Sequence, residues 1–375
     1  EAQELAVMDG TLVTYLRAFE VAGVTPEQAF AQITIALAAD ADLFLTVAKL
    51  RAARRIVGRI AEASGAAAAG GAVRLAVTTS ARMMTRRDPW TNMLRTTAAC
   101  AGAAFGGADA VTVLPYTWAL GQPDPFALRI ARNTQLVAQE ESSLGRVVDP
   151  AGGSWYVETL TDQLAQKAWG LFREMEEEGG IIVELVSARL ARDIMHTAAE
   201  RTKAIATGRQ PLTGTSAFPL LGPDGVTVQP WPEAAAPVGD VLIEPLAQHR
   251  LAEPFEDLRD AADAHAARTG RRPTVFLASL GTIADHTART TWLRNQLAVA
   301  GIEALVRDGY ATPADAAEAF KGSHTLTACI CSSDDLYAAH GEATAKALVE
   351  AGATHVLMAG RPGEREALLR AAGVD

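Results

Sequence analysis

Histidine is missing from the first half of the sequence. All seven histidines of the 375 residues lie at or beyond His196. Imidazole is the side chain that most often transfers protons at neutral pH. The residues before His196 therefore exclude any acid–base or carbonyl-polarising role for histidine.

Cysteine is also scarce, with Cys100, Cys329 and Cys331 as its three positions. An odd and sparse set argues against a disulfide scaffold and favours a reduced, cytoplasmic protein. Cys329 and Cys331 lie two residues apart in an apolar run, so they face the same side of a strand. Their spacing is not that of zinc ligands, and no nearby residues complete a ligand set. We expect buried structural thiols and no metal site.

Long apolar runs and an excess of basic residues are absent as well. No run approaches the roughly 20 residues that span a bilayer, and no signal peptide is visible. The net charge of −10 argues against a broad nucleic-acid-binding face. We therefore expect neither a membrane nor nucleic acid as a partner. The length and the 49% hydrophobic content suffice for two cores joined by a linker.

Strand and helix patterns alternate through residues 30–145. Apolar runs at 33–38, 73–79 and 110–114 are typical of buried strands. Helical patterns follow them at 42–63, 90–105 and 125–141. Repeated strand–helix units predict a parallel sheet with helices outside it, and three such units make part of an eight-unit barrel.

The rest of the chain divides into helices, a linker and a second α/β region. Helices are predicted at 161–178 and 182–207, and the Pro- and Gly-rich residues 208–245 are typical of an extended linker. Strands are predicted at 274–279, 303–306, 325–331 and 355–359, with helices at 288–300, 312–320, 335–351 and 363–372. This alternation predicts a doubly wound, flavodoxin-like domain.

Seven short segments carry a more specific signal. They are Phe105–Gly107, Arg129–Gln135, Gln139–Ser142, Arg146–Pro150, Gly153–Ser154, Tyr156–Glu158 and Gly208–Gly214. In this order they resemble the methylmalonyl-CoA mutase family, and within it the small (beta), non-catalytic subunit. The resemblance covers the whole chain, more weakly at 215–260 and beyond 280.

The resemblance implies an α/β fold in two parts. Residues 1–158 would form the C-terminal part of an acyl-CoA-binding (β/α)₈ TIM barrel, and 159–254 a helical segment and linker. Residues 255–375 would form a flavodoxin-like, Rossmann-like homologue of the cobalamin domain. The chain is expected to begin inside the barrel and to stop before the family's last strand and helix.

The family's reaction is a radical rearrangement that starts from adenosylcobalamin, and its two barrel motifs are altered here. The family's Arg-x-His-x-Gln strand, whose His hydrogen-bonds the thioester carbonyl, becomes Arg74–Thr78, with Ala76 at the His position. In the next motif Thr112 takes the place of the His, and Leu114 that of the Asn. We therefore expect no catalytic residue in this chain.

The family's cobalt-ligand motif, Asp-x-His-x-x-Gly, is altered too. Ile283 stands at the Asp position, Asp285 at the His position and Ala288 at the Gly position. His286 follows one residue late, which rotates its side chain by roughly 100° on a helix. We interpret His286 as a surface histidine near a helix start, with a displaced cobalt ligand as the alternative.

Further along, the family's serine on the third strand corresponds to Ser332 or Ser333. Asp334 and Asp335 follow, where the family has small residues beside the nucleotide tail of cobalamin, and two carboxylates there would cost desolvation. We therefore expect no cofactor in this chain and adenosylcobalamin in a partner.

Three groups of charged residues have less specific interpretations. A basic stripe on the helix at 42–63 is expected to be solvated or subunit-facing: Lys49, Arg51, Arg54, Arg55 and Arg59. A second group either holds CoA phosphates or forms a salt-bridging loop between subunits: Arg82, Arg86 and Arg87. A third group is not expected to be catalytic: Asp109, Asp124 and Asp149.

Three hypotheses about function remain. The favoured one is a structural subunit of a heterodimeric mutase, whose partner is the catalytic large subunit. The second is an active acyl-CoA mutase with a displaced cobalt ligand. The third is a non-enzymatic module that binds acyl-CoA or docks a mutase chaperone.

Overall fold

A computed structural model describes residues 1–222, 225–232, 243 and 245–375 of the chain. They divide into a first unit, residues 1–210 with 224–252, and a second unit, residues 211–223 with 253–375. Each unit contains one sheet, and all neighbouring strands of both sheets are parallel. The α/β class and the parallel sheets predicted from the alternation of strands and helices are confirmed.

The sheet of the first unit has the strand order β1-β2-β3. Its strands are β1 (Thr34–Ala39), β2 (Arg74–Thr79) and β3 (Ala110–Thr112). Ala36 pairs with Ala76, which in turn pairs with Ala110. An order that follows the chain is that of consecutive units in a (β/α)₈ barrel. The barrel of the whole protein stays a prediction.

Helices follow each strand of the first unit and also precede the first. They are α1 (Ala2–Val21), α2 (Pro26–Gln32), α3 (Leu43–Ala63), α4 (Thr91–Phe105), α5 (Pro125–Leu136), α6 (Trp155–Glu177), α7 (Ile181–Val186) and α8 (Arg189–Ala206). Short 3₁₀ segments lie at Ala67–Ala72 and Ala81–Met83, and a π-helical turn at Val137–Glu141 extends α5. Pro26 occupies the first turn of α2, where its missing N–H leaves no hydrogen bond unmade.

The core of the first unit lies between the sheet and its helices. Ile35 and Leu37 of β1 and Leu75 and Val77 of β2 are buried in one apolar cluster with residues of α3. Alternate residues point to opposite faces of a strand. The other face, which carries Ala36 and the residues in register with it, is therefore left without this cover.

The helical segment after the barrel strands belongs to the first unit. Residue 158, where the predicted partial barrel ends, lies inside α6. One face of that helix is buried in the unit, with Val157 and Leu164 among its residues. Part of the predicted linker at 208–245 lies outside the described residues, namely 223–224, 233–242 and 244. Its described part includes Trp231, whose indole N–H donates to the Trp118 carbonyl at 2.9 Å in the first unit.

The sheet of the second unit has the order β5-β4-β6-β7. Its strands are β4 (Thr274–Ser279), β5 (Glu303–Leu305), β6 (Thr327–Cys331) and β7 (His355–Met358). Its helices are α9 (Glu253–Thr269), α10 (Ile283–Val299), α11 (Pro313–Lys321), α12 (Asp334–Leu336), α13 (Glu342–Glu350) and α14 (Glu366–Ala371). A π-helical turn at Tyr337–Gly341 joins α12 to α13, and a 3₁₀ turn at Gly363–Arg365 precedes α14. The order places the switch point of a doubly wound sheet between β4 and β6.

The thiols behave as their spacing predicted. Cys329 and Cys331 are free and buried, and they share one apolar cluster on a single face of β6. Cys100 is also free and buried, in the first unit. Among the described residues, no helix combines the length and the apolar character needed to cross a membrane.

One buried carboxyl group stands out in the first unit. Asp9 of α1 is fully buried, and neither of its oxygens has a hydrogen-bond partner among the described residues. Desolvation raises the pKa of Asp9 to about 8. An acid whose pKa is higher in the folded state takes up a proton on folding, so its presence lowers stability as the pH rises from about 4 to 8.

We predict that Asp9→Asn stabilises the full chain at pH 8 by on the order of 5 kcal/mol and has little effect near pH 4. The amide keeps the shape of the carboxyl group but carries no charge to desolvate. Urea unfolding of both proteins at several pH values measures the difference. An exposed carboxyl group on another helix, changed by Asp335→Asn, is the control. A gain for Asp9→Asn that is equal at all pH values would contradict the prediction.

Candidate functional site

Ala76 and Thr112, which the resemblance puts at the family's two histidine positions, lie on the uncovered face of the first sheet. Ala76 is in register with Ala36 and Ala110, and Thr112 is in register with Thr78. Ala76 and Thr112 alternate with the buried residues of their strands, so both lie on the same face. This face offers methyl groups and threonine hydroxyls at these positions, and neither titrates near neutral pH.

The three aspartates of the first unit have structural roles. Asp109 accepts hydrogen bonds from the Leu75 N–H at 2.7 Å and from Arg54 at 2.8 Å. Desolvation raises the pKa of Asp109, but these two partners outweigh it and hold the pKa below its ordinary value. Asp124 caps α5 by accepting from the Ala127 N–H at 2.7 Å, and Asp149 forms an ion pair with Arg51. The expectation that they do not act in catalysis stays a prediction, which these roles support.

The basic stripe of α3 is not uniformly solvated, and Lys49 is the exception. Its side chain is 1% exposed, because it points inward between Glu1 at 2.5 Å and Glu4 at 2.7 Å. Burial lowers the pKa of Lys49, but the two carboxylates outweigh this effect and raise the pKa above its ordinary value. The prediction of a solvated or subunit-facing side chain is wrong for Lys49.

Arg82 is likewise ion-paired inside the first unit. Its guanidinium lies 2.6 Å from Asp40 and 3.2 Å from Glu1. Its carbonyl accepts from the Leu251 N–H at 2.9 Å, which holds residues near 250 at the carboxyl ends of β1 and β2. An arginine paired in this way is not free to bind a phosphate. For Arg86 and Arg87 both interpretations stay predictions.

In the second unit, Asp285, which the resemblance puts at the cobalt-ligand position, serves as a helix cap. Asp285 lies in the first turn of α10 and accepts from the N–H of Thr282 at 2.8 Å and from its hydroxyl at 2.7 Å. The Thr282 hydroxyl and then the Thr282 N–H lower the pKa of Asp285. This arrangement is a capping box, which satisfies an amide that would otherwise lack a partner. The helix therefore begins at Ile283, five residues before the predicted start at 288.

The earlier helix start changes the environment of His286. We expected a surface histidine, but His286 is 5% exposed and lies on the same buried face of α10 as Thr290 and Leu293. A Cβ atom on Gly309 would lie 3.0 Å from its Nε2, so the ring packs beneath the loop that follows β5. Neither ring nitrogen has a hydrogen-bond partner among the described residues. His286 therefore lies on the β5 side of β4, away from the switch point between β4 and β6.

At the switch point itself, side chains bridge the loops that follow β4 and β6. The Ser332 hydroxyl, on the loop after β6, donates to the Leu280 carbonyl, on the loop after β4, at 2.8 Å. A Cβ atom on Gly281 would lie 2.4 Å from Cδ1 of Leu336, so Leu336 lies directly against the Gly281 backbone. We call the space bounded by these two loops and by the backbone that follows β7 the crevice.

Tyr337 occupies the carboxyl ends of β6 and β7. Its hydroxyl lies 3.0 Å from the Ile330 carbonyl and 2.8 Å from the Ala359 carbonyl, and it accepts from the Ser332 N–H at 3.1 Å. Desolvation raises the pKa of Tyr337 to about 12, so the hydroxyl keeps its proton for these carbonyls. Tyr337 is also the first residue of the π-helical turn that follows α12.

Arg289 of α10 covers the ring of Tyr337. Its guanidinium carbon is 4.7 Å from the ring centroid, and the group donates to the Ser332 carbonyl and pairs with Asp334. Asp334 itself is exposed to solvent. The carboxylates that we expected to penalise an apolar ligand therefore point outward, and Leu336 and Tyr337 fill the crevice instead.

The sequence contained a signal for these two residues that we did not use. Leu336 and Tyr337 are large side chains directly after Asp334 and Asp335, where the resemblance implies small residues. Arg289 had no such signal, because it reaches Ser332 from 43 residues away in the chain.

Comparison with known proteins places the chain in a family. Residues 1–250 match the family model described as methylmalonyl-CoA mutase. The chain is 53% identical over 361 residues to the methylmalonyl-CoA mutase small subunit of Streptomyces virginiae, and 41% identical over 361 residues to that of Propionibacterium freudenreichii subsp. shermanii. It is also 33% identical over 219 residues, 58% of the chain, to the methylmalonyl-CoA mutase of Escherichia coli K12, of which it covers 31%. The chain belongs to the methylmalonyl-CoA mutase family.

The two small-subunit relatives extend beyond the matched region. Each match covers 96% of this chain, but 57% of the Streptomyces protein and 55% of the Propionibacterium protein. The chain therefore spans little more than half the length of these relatives.

The residues of the second unit do not fit a cobalamin. Asp285 at the ligand position is a carboxylate bound to Thr282, and His286 is buried on the other side of β4. The crevice that would have to take the nucleotide tail contains Leu336 and Tyr337. In the described residues, a carboxylate stands at 285 and the side chains of Leu336 and Tyr337 lie in the crevice, where the resemblance implies an imidazole and small residues.

We predict that Tyr337→Phe destabilises the second unit by about 1–3 kcal/mol, because buried backbone groups lose their partner. Unfolding in urea, followed by circular dichroism, measures the loss. Tyr156→Phe is the matched control, since that tyrosine is exposed. Equal and negligible effects of both substitutions would show that the hydroxyl of Tyr337 does not hold the strand ends.

Proposed function

We propose that this chain is the small, structural subunit of a heterodimeric methylmalonyl-CoA mutase that depends on adenosylcobalamin. The complex would interconvert methylmalonyl-CoA and succinyl-CoA on its large subunit, which would also hold the cofactor. This chain would bind no cofactor and take no part in the chemistry. The observation that carries the proposal is the crevice of the second unit, which is filled by Leu336 and Tyr337. Beside it, Asp285 at the expected cobalt-ligand position caps a helix.

The first unit supports the same proposal. A hydrogen-bond donor aimed at a developing charge typically contributes about 10²–10³ to the rate of a reaction. Ala76 has no donor to offer, and Thr112 brings a hydroxyl in place of an imidazole. The Arg82 guanidinium is paired with Asp40 and Glu1 within the unit. The residues that would polarise a thioester are therefore replaced, and Arg82 is already paired and does not offer a free guanidinium to a phosphate.

The partner follows from the relatives and from the surface. Two of the relatives are named as small subunits, which implies a large subunit in their complexes. Interfaces between obligate partners are extensive and apolar. Apolar side chains on α7 and α8 are exposed in the first unit, among them Ile182, Val186 and Met195. We expect this surface to contribute to the contact with the large subunit.

The two alternatives make different demands. An active mutase would need a cobalt ligand, and His286 is the nearest imidazole to the family's position, but it is buried beneath Gly309. A module that binds acyl-CoA or a chaperone would not need a large subunit for its stability. Co-purification with a large mutase subunit therefore separates the third hypothesis from the first.

We predict that the full chain, incubated with adenosylcobalamin and freed of unbound cofactor, shows no visible cobalamin absorbance. Its complex with the large subunit is expected to retain one cobalamin per pair of chains, because the large subunit alone supplies a ligand and an open crevice. The visible spectrum after gel filtration measures both.

A complex whose large subunit lacks the cobalt-ligating histidine is the control, and it should lose the absorbance. Cobalamin retained by the full chain alone would overturn the proposal and favour an active mutase.

A further inference from the structure

The crevice of the second unit is closed from both walls. From the β6 side, Leu336 reaches the Gly281 backbone on the loop after β4. From the β4 side, Arg289 on α10 reaches the Ser332 carbonyl on the loop after β6. Each wall thus contributes a side chain that crosses to the other.

These side chains also pack on one another. The guanidinium of Arg289 lies over the ring of Tyr337, and a Cβ atom on Gly360 would lie 3.4 Å from its Cζ and 3.6 Å from Cε2 of the ring. The pair therefore rests on the backbone that follows β7. We call Arg289, Leu336 and Tyr337 the plug.

We propose that the plug itself excludes the nucleotide-like tail of a cobalamin from this unit, independently of the missing cobalt ligand. The inference rests on the proposed function and adds to it the residues that determine the exclusion. Restoring an aspartate and a histidine at Ile283 and Asp285 would change only the entrance of α10. It would leave the side chains between Gly281, Ser332 and Gly360 in place.

Opening the plug costs free energy, because the hydrogen bonds and packing of Tyr337 are lost. Tyr337 is 6% exposed and bonds to the backbone at Ile330, Ser332 and Ala359. Displacing its ring leaves those groups buried without a partner. A tail that enters must therefore satisfy these three backbone groups itself and replace the packing of Leu336. The chain closes the crevice with bonds of its own.

Cobalamin retention tests the exclusion. The ligand-restored full chain carries Ile283→Asp with Asp285→His, and the opened chain carries Leu336→Ala with Tyr337→Ala in addition. Hydroxocobalamin absorbance after gel filtration is measured for both. We expect the opened, ligand-restored chain to retain at least about tenfold more cobalamin than the ligand-restored chain. Equal retention by the two chains, or retention by the ligand-restored chain with its plug intact, would overturn the inference.

A second measurement needs no cofactor and covers the case in which the multiple variant does not fold. Cys331 ends β6 directly beneath the crevice, where its carbonyl accepts from the Leu280 N–H at 3.0 Å, while Cys329 lies deeper in the same strand. Alkylation by iodoacetamide, located by mass spectrometry, is compared between the unaltered full chain and Leu336→Ala. We expect Cys331 to react about tenfold faster in the variant, with Cys329 unchanged.

The two cysteines distinguish local opening from unfolding of the unit. Faster reaction of Cys331 alone supports the plug. Protection of Cys331 that is unchanged in Leu336→Ala, or a parallel rise for Cys329, would show that Leu336 does not close the crevice and would overturn the inference. The proposed function fails on a different result, namely cobalamin retained by the unaltered chain.

Discussion

The carboxyl ends of parallel strands expose backbone groups that need hydrogen-bond partners, and in α/β folds a ligand often supplies them. In the second unit the chain supplies them itself. The Tyr337 hydroxyl bonds to Ile330 and Ala359, and the Ser332 hydroxyl bonds to Leu280. Once these groups are satisfied internally, the edge of the sheet is complete, and Leu336 and Arg289 can pack across it.

The same constraint is met by other means in the first unit. The Thr79 hydroxyl accepts from the Leu114 N–H at 2.8 Å, and the Arg54 guanidinium donates to the Gly107 carbonyl at 2.7 Å. Side chains that look reactive in the sequence, such as Asp109 and Arg82, therefore hold strand ends and loops together. Charge in this unit is used for attachment, which agrees with a structural role.

Much of the fold was accessible from the sequence, because apolar periodicity reports directly on burial. The strand predicted at 274–279 is β4 with the same bounds, and the helices predicted at 42–63 and 90–105 each begin one residue later. The substitutions at Ala76 and Asp285 were also readable, since a residue type is known without coordinates. What they mean for a barrel and a cobalamin domain was supplied by the resemblance to the family.

The errors share a physical origin in side-chain direction. Lys49 was placed in a solvated stripe because its partners, Glu1 and Glu4, lie more than forty residues away in the sequence. His286 was placed on the surface because the capping box at Thr282 and Asp285 starts the helix earlier than the apolar pattern does. The role of Tyr337 was not predicted because its hydroxyl bonds to the ends of two strands, one of them 22 residues away in the chain. Each of these depends on a specific side-chain contact that periodicity does not encode.

The hydrogen bonds of Tyr337 have a consequence for how this protein responds to the supply of its family's cofactor. A protein that binds a cofactor in its folded state gains stability by mass action as the cofactor becomes abundant. Under the proposed function, a unit whose crevice is occupied by its own tyrosine gains no stability from cobalamin. Its abundance in the cell would then follow the concentration of the partner chain rather than that of the cofactor.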